Sequence, residues 1–296
     1  MANRAELVKQ LRAITNAGMS DCLKALGESN DDLDLAVEWL RKNGAIKAAK
    51  KSSAVAAEGL TLSKFNSDKT IAAAIEVNCQ TDFVAKNEQF VKLVDNMINE
   101  ILKNPKVSNY EELKIGNETF VEASQNLTSV IGEKIAFRRA KVLFANSNQT
   151  LGIYTHMNNR VSTAILIDGK VENEVATNVA MHIAAMNPKY VTESEVDQDW
   201  LQKEKEIILE QTKQESNKPV EFLTKIVDGR INKLLKEVCL VSQPYVKDPS
   251  MTIEQYLKSK NASAVAMINF VLGEGIQKKE SNFADEVAEQ MNQFNK

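Results

Sequence analysis

The feature that most constrains the fold is a strand pattern followed by a helix pattern, which occurs twice, about 90 residues apart. In the first copy, apolar side chains alternate over residues 71–79 with the period of a half-buried strand, and a helical apolar stripe covers 90–102. In the second copy, an alternating stretch covers 161–167 and a helical stripe covers 175–186. This order predicts two related α+β subdomains, although the two copies share few side chains.

The N-terminal part has a different pattern. Residues 1–45 carry three short helical apolar stripes, which predict a compact three-helix bundle. Ser20-Asp21 can cap the second helix, Asn30-Asp31-Asp32 can cap the third, and Gly44 can end it. Residues 46–60 are rich in Ala, Lys and Ser, so we expect a helical or flexible linker whose basic side chains face solvent.

The predicted core consists of two parts, residues 61–150 and 151–280. Within the second part, 197–241 is expected to form a helical hairpin, whose return arm has a narrow apolar stripe typical of a projecting antiparallel coiled coil. A last apolar stripe over 281–296 predicts a terminal helix. We therefore expect an α+β fold with an N-terminal helical bundle.

Charge and cysteine usage argue against several classes of protein. The chain has 37 basic and 40 acidic residues, so it has no overall attraction for nucleic acid. Its three cysteines are far apart, which fits neither a zinc site nor a disulfide framework and favours a reducing compartment. Because no apolar run approaches the ~18 residues of a membrane span and no signal core opens the sequence, we expect a cytoplasmic protein without a membrane partner.

The sequence shows no set of residues suited to catalysis. His182 lies on the apolar face of its predicted helix, as a packed core histidine does, whereas His156 lies at a predicted strand end, where it suits an exposed contact. Cys79 falls on the predicted inner face of its strand, which favours an inert buried thiol over a nucleophile. The glycine pair at 273–275 is too short to cradle a phosphate. We therefore expect no enzyme activity, no cofactor and no metal, and a protein that works by contact.

The segment between the first strand and the first large helix allows two interpretations. Thr81 or Asp82 can cap the helix, with Phe83 as a hydrophobic staple packed against it. Alternatively, the aromatic ring and the carboxylate together form a contact site for another molecule. Physical reasoning alone favours the cap and staple.

Residues 78–87, NCQTDFVAKN, resemble the signature of the elongation factor Ts family, the exchange factors of the translational GTPase elongation factor Tu. Further matching stretches, in chain order, are 11–26, 132–135, 138–139, 181–185, 243–246, 248–250 and 273–276. The resemblance covers essentially the whole chain. It implies a ubiquitin-associated-like bundle, a two-part core with a dimerisation fold, and a projecting coiled coil.

The resemblance also implies a partner and a site. The partner is elongation factor Tu, GDP-bound or nucleotide-free, whose Mg²⁺ site is disturbed by Asp82 and Phe83, flanked by Thr81 and Val84. Further partner contacts implied by the resemblance are Met19, Ile131, Gly132, His156 and Val246. A homodimer or a 2:2 complex with Tu stays open, and no direct nucleic-acid contact is implied.

The sequence departs from the family pattern at three places. Ser20 stands where a second methionine is common, Leu23 where a lysine is common, and the loop after His156 is longer than usual. Two other classes also stay open: an adaptor that uses the N-terminal bundle alone, and a thiol enzyme that uses Cys79.

Overall fold

A computed structural model describes residues 4–15, 17–156, 158–215 and 220–277. The N-terminal bundle consists of α1 (Arg4–Thr15), α2 (Met19–Glu28) and α3 (Leu33–Lys51). Its small core is made of buried aliphatic side chains and one thiol: Val8, Leu11, Ala17, Cys22, Ala25, Leu26 and Ala36. The predicted three-helix bundle is confirmed.

The predicted helix ends are only partly correct. Asp32 caps α3 as expected, because its side chain accepts a 3.0 Å hydrogen bond from the Leu35 N–H. The expected cap at Ser20-Asp21 is wrong, because α2 already begins at Met19, after Gly18. Gly44 does not end α3, which continues to Lys51, so the first part of the predicted linker is helical.

The reason for Gly44 is a helix contact. A Cβ atom added there would lie 3.0 Å from the Ser129 hydroxyl oxygen, so the glycine lets α3 approach that side chain closely. Its lack of a side chain therefore serves packing between the bundle and the core, a use that sequence alone cannot distinguish from a helix end.

The first half of the core is a three-stranded antiparallel sheet with helices on one face. Its elements are β1 (Glu58–Phe65), β2 (Ile71–Cys79), α4 (Asp82–Ala85), α5 (Glu88–Lys103), β3 (Lys114–Ile115), β4 (Glu118–Thr119), α6 (Phe120–Ile131) and β5 (Ile135–Phe144). β2 is the central strand, between β1 and β5. Phe90 of α5 and Phe120 of α6 are fully buried in the core that these helices form with β2.

The second half repeats this plan. Its elements are β6 (Gln149–His156), β7 (Val161–Asp168), α7 (Asn173–Met186), α8 (Gln198–Glu215), α9 (Val220–Val238), β8 (Pro244–Tyr245), β9 (Asp248–Thr252), α10 (Ile253–Lys258) and β10 (Ser263–Val271). β7 is the central strand, between β6 and β10, and all its pairings are antiparallel. The two halves confirm the α+β class.

The two sheets pack face to face on small side chains. Ala72 and Ala74 of β2 share a core cluster with Ala164 and Leu166 of β7, while the alternate residues of both strands pack under the helices. The expectation of a half-buried first strand is therefore wrong, because β2 is buried on both faces. Ala72 and Ala74, on the second face of β2, therefore contact the other sheet and not solvent.

Within the predicted hairpin over 197–241, the helices α8 and α9 pack against each other, with Leu223, Val227 and Ile231 of α9 buried. That the pair forms a projecting coiled coil stays a prediction. Its tip at 216–219 lies outside the described residues, as does the predicted terminal helix at 281–296.

One buried carboxylate joins the two halves. Glu76 of β2 accepts hydrogen bonds from Arg138 at 2.8 Å and from Arg139 at 2.6 Å, both on β5. It also accepts the backbone N–H of Gly273, which follows β10, at 2.8 Å. Gly273 has a φ of 71°, and an added Cβ would lie 2.5 Å from the Ala57 carbonyl oxygen, so no other residue fits this turn.

Candidate functional site

The turn after β2 is held by two successive helix caps. The Val84 N–H donates to the Thr81 hydroxyl at 3.4 Å, which starts the single-turn helix α4. Asn87 then caps α5 by accepting a 2.9 Å hydrogen bond from the Gln89 N–H. Thr81 was expected to cap the first large helix, but it caps the single-turn helix α4, and the large helix α5 is capped by Asn87. Together the two caps fix the backbone of 81–87.

Phe83 points away from the protein. Its side chain is 79% exposed, whereas those of Val84 and Ala85 are buried under the first sheet. The expectation that Phe83 is a staple is therefore wrong. Val84 was expected among the contact residues, but in the free protein it anchors the turn from inside. A phenylalanine fixed in this exposed position suits contact with another molecule.

Asp82 lies beside Phe83 on the same turn. Its carboxylate is 2.8 Å from the Lys86 Nζ atom, one helical turn later. The hydrogen bond from Lys86 lowers the pKa of Asp82, with a smaller contribution from Arg160, so the carboxylate is ionised at neutral pH. The turn thus presents an apolar ring and a negative charge side by side.

A second turn, after α6, holds the first in place. The Thr81 hydroxyl donates to Glu133 at 2.9 Å, and the Lys134 N–H donates to the Gln80 side chain at 2.7 Å. Gly132 ends α6 with a left-handed φ of 87°. The fold therefore brings the predicted contacts Ile131 and Gly132 next to the Asp82-Phe83 turn, with Gly132 exposed and Ile131 half-buried.

Sequence reasoning missed the role of Gln80 and Glu133. Both belong to stretches that match the family, but nothing in their spacing shows that residues more than fifty positions apart meet. The pairing of β2 with β5 through Cys79 and Ile135 brings the two segments together, and the sequence does not show which strands pair.

The strand end at His156 lies on the same side of the core. His156 is exposed, as predicted, and its Nδ1 atom is 2.7 Å from the Tyr154 hydroxyl. In the loop that follows, Arg160 forms a 2.9 Å ion pair with Glu58, at the start of β1. Arg160 is also close enough to Asp82 to lower the pKa of that carboxyl.

Two predicted contacts lie on other elements. Met19 is 58% exposed at the start of α2, and Leu23, one turn later, is exposed as well. Val246 is 46% exposed in the turn between β8 and β9. The structure thus distributes the candidate contact residues over the bundle and both halves of the core.

The Cys79 thiol is poorly suited to act as a nucleophile. The Cys79 thiol is buried and donates to the Thr81 carbonyl at 3.1 Å, and burial raises its pKa to about 12. A thiolate at this position is therefore strongly disfavoured at neutral pH, which argues against the thiol-enzyme alternative.

Among the described residues, no group of three or more His, Cys, Asp or Glu side chains is placed to hold a metal ion. None of the helices in this part of the chain is long and apolar enough to cross a membrane.

Comparison with known proteins places the chain in a family. The family model described as elongation factor TS matches residues 80–274. Elongation factor Ts of Ureaplasma urealyticum is 53% identical over 290 residues, which is 97% of this chain and 99% of the relative. The same factor of Malacoplasma penetrans is 48% identical, over 98% of this chain and 99% of the relative. The factor of Mycoplasmoides gallisepticum is 44% identical, over 98% of this chain and 100% of the relative. From the matched residues and these full-length relatives, the chain belongs to the elongation factor Ts family.

Proposed function

We propose that this protein is the guanine-nucleotide exchange factor of elongation factor Tu. It binds Tu–GDP, disturbs the Mg²⁺ site of Tu and promotes GDP release, so that GTP can bind. Family membership supports the partner. The single observation that carries the mechanism is Phe83, which is 79% exposed beside an ionised carboxylate on a doubly capped turn.

Phe83 supplies binding energy and displaces packing in the partner. Burying its ring in an apolar pocket contributes roughly 1.5–3 kcal/mol. Because Val84 and Thr81 fix the turn from inside, the ring enters the pocket in one orientation, and the side chains of the partner must move around it.

Asp82 supplies charge. Its carboxylate brings a negative charge and hydrogen-bond acceptors to the partner surface beside the ring, where they favour the displaced arrangement. Weakening the Mg²⁺ coordination removes the main charge that neutralises the bound diphosphate, so GDP dissociates faster.

The proposed activity changes no covalent bond, so the protein is not an enzyme in that sense. Coupling between two ligands is reciprocal: if this protein weakens GDP binding to Tu, GDP must weaken binding of this protein by the same factor. Exchange is therefore faster in both directions, and the excess of GTP over GDP sets the product. Met19, Ile131, Gly132, His156 and Val246 add contacts that hold the complex.

The direct test is the release of a fluorescent GDP analogue from elongation factor Tu, with and without this protein. We expect the full chain to accelerate release and Phe83→Ala to lower the exchange efficiency about 30-fold, since truncating a central interface aromatic costs about 2 kcal/mol.

The chain offers a matched control. Phe144 is also exposed, at 43%, but it pairs with Ile71 at the opposite end of β2. Phe144→Ala should leave exchange within about twofold of the unmodified protein. Equal losses for both variants, or a loss for Phe83→Ala that follows its melting temperature, would contradict the role of Phe83.

A further inference from the structure

The buried histidine of α7 has a place in the proposed function. We propose that His182 is a positioning residue, which holds the partner-contact turn at Val246 through its Nδ1 atom. The inference rests on the proposed function and adds to it a residue that does not touch the partner.

Both ring nitrogens of His182 are engaged. The imidazole is fully buried, and its Nδ1 atom is 3.2 Å from the backbone nitrogen of Val246. A backbone N–H can only donate, so Nδ1 must be the unprotonated acceptor. The Nε2 atom, which then carries the proton, is 2.9 Å from the Gln243 Oε1 atom. The ring is thus neutral and in the Nε2–H tautomer.

The orientation of Gln243 is fixed in turn. Its Nε2 amide group donates to the Glu237 carbonyl at 2.6 Å, which leaves Oε1 to face the imidazole. Gln243 is itself buried. The three hydrogen bonds therefore run in one direction. The Val246 N–H donates to His182, His182 donates to Gln243, and Gln243 donates to the Glu237 carbonyl.

The turn has a second attachment to α7, next to the first. The Lys247 Nζ atom donates to Asn178 at 2.7 Å, and Asn178 lies one helical turn before His182. The Val246 side chain in this turn is half-exposed. The centroid of the neighbouring Tyr245 ring lies 6.1 Å from the centroid of the imidazole. His182 thus fixes the backbone of the residue whose side chain faces outward.

Three variants of His182 separate the positioning role from packing. Asn places a carbonyl oxygen at the same number of bonds from Cβ as Nδ1, so His182→Asn keeps an acceptor for the Val246 N–H. His182→Gln places its polar atoms one bond further, toward Gln243, and His182→Phe keeps only the volume. Thr163→Val is a matched control, because Thr163 is buried and bonds to the Ala180 carbonyl of the same helix, away from the turn.

The measurement is GDP-analogue release from elongation factor Tu as a function of the concentration of this protein. For His182→Phe and His182→Gln we expect the half-saturating concentration to rise about tenfold, the usual effect of a lost buried hydrogen bond. The maximal rate should change less than about twofold, because the Asp82-Phe83 turn lies on the other half of the core. In His182→Asn, which keeps an acceptor for the Val246 N–H, the half-saturating concentration should stay close to that of the unmodified protein. Thr163→Val should leave it unchanged.

Unaltered half-saturation in His182→Phe, or equal losses in all four variants, would overturn the inference. A second measurement needs no variant. The chain has only two histidines, so ¹⁵N–¹H correlation spectra of the ring nitrogens of the free protein give the tautomer of His182 directly. We expect a protonated Nε2 and an unprotonated Nδ1, and the opposite tautomer would overturn the inference. Failure of the unmodified protein to accelerate GDP release would instead overturn the proposed function.

Discussion

At the residue scale, the site depends on side chains that hold Phe83 as much as on Phe83 itself. The Thr81 hydroxyl accepts from the Val84 N–H and donates to Glu133, so one oxygen atom both starts α4 and ties it to the turn after α6. A threonine that only capped the helix would need no carboxylate partner. Glu133 therefore belongs to the site, although it is not among the expected contacts.

This arrangement leads to a prediction for Thr81. Thr81→Val removes both hydrogen bonds while keeping the shape of the side chain, so we expect stability to fall by about 1 kcal/mol and exchange to fall several-fold. Thr81→Ser keeps the hydroxyl and should retain most exchange. The melting temperature and the GDP-release rate, measured side by side, distinguish lost positioning from lost folded protein.

A double-mutant cycle tests the partner of that hydroxyl. If Thr81 and Glu133 act through their shared hydrogen bond, the losses of Thr81→Val and Glu133→Ala should be less than additive in the GDP-release rate. Additive losses would show that the two side chains act independently.

At the scale of elements, two glycines, one in a strand and one in a helix, should respond to substitution by alanine in opposite ways. A Cβ at Gly152 of β6 would lie 2.3 Å from the Ala176 carbonyl oxygen, because α7 crosses the strand at that point. A Cβ at Gly229 of α9 meets nothing within 4 Å. The first glycine is required by packing, and the second is a site of weak helix propensity.

We therefore expect Gly152→Ala and Gly229→Ala to differ in sign. Gly229→Ala should raise the free energy of unfolding by up to about 1 kcal/mol. Gly152→Ala should lower it by about 1–3 kcal/mol, since backbone must move to admit the methyl group. Denaturant unfolding of both variants measures the two effects, and a stabilised Gly152→Ala would contradict the close helix–strand contact.

The N-terminal bundle gives a prediction for a whole element. Met19 is exposed on the bundle, whereas Asp82 and Phe83 lie on the core. Deleting residues 1–51 should weaken binding to elongation factor Tu yet leave exchange detectable at high protein concentration. Release of GDP by the isolated bundle alone would contradict this division. Circular dichroism of the shortened chain shows whether the core stays folded.

At the scale of the whole molecule, Glu76 links the two sheets. Burial alone would raise the pKa of this carboxyl, but the Gly273 N–H and the guanidinium groups of Arg138 and Arg139 outweigh it and lower the pKa below its ordinary value of 4.5. A carboxyl whose pKa is lowered by folding stabilises the protein fully above its unfolded pKa. That contribution is lost as the pH falls through the folded pKa.

The stability of the protein should therefore fall below about pH 4.5 as Glu76 becomes protonated. In Glu76→Gln the protein should be less stable at neutral pH, and its free energy of unfolding should depend less on pH in the acid range. Urea unfolding at a series of pH values measures both. Parallel pH curves for the two proteins would show that Glu76 contributes nothing to the acid transition.

The N-terminal bundle and the two strand-then-helix units could be predicted from the sequence, because periodicity is local. The strand β1 was missed, since it begins inside the predicted linker 46–60. Asp32 could be identified among the candidate caps of α3 for the same reason, whereas Thr81 was assigned to α5 and caps α4 instead. The burial of β2 on both faces could not, because the partner of Ala72 and Ala74 is a sheet whose strands lie far along the chain. The direction of Phe83 depends on which side of a single helical turn meets the core, and the sequence spacing does not determine it.

The position of the Asp82-Phe83 turn at the end of β2 has a kinetic consequence. β2 is central in its sheet and buried on both faces, so its amide hydrogens should exchange with solvent only when the whole core unfolds. The turn that begins two residues later is held by the same core. The Phe83 ring and the Asp82 carboxylate are therefore already ordered in the free protein. Association with elongation factor Tu then requires no folding of this turn. We expect binding to elongation factor Tu to show one concentration-dependent phase, with a rate constant of about 10⁵–10⁷ M⁻¹ s⁻¹ set by orientation during diffusion.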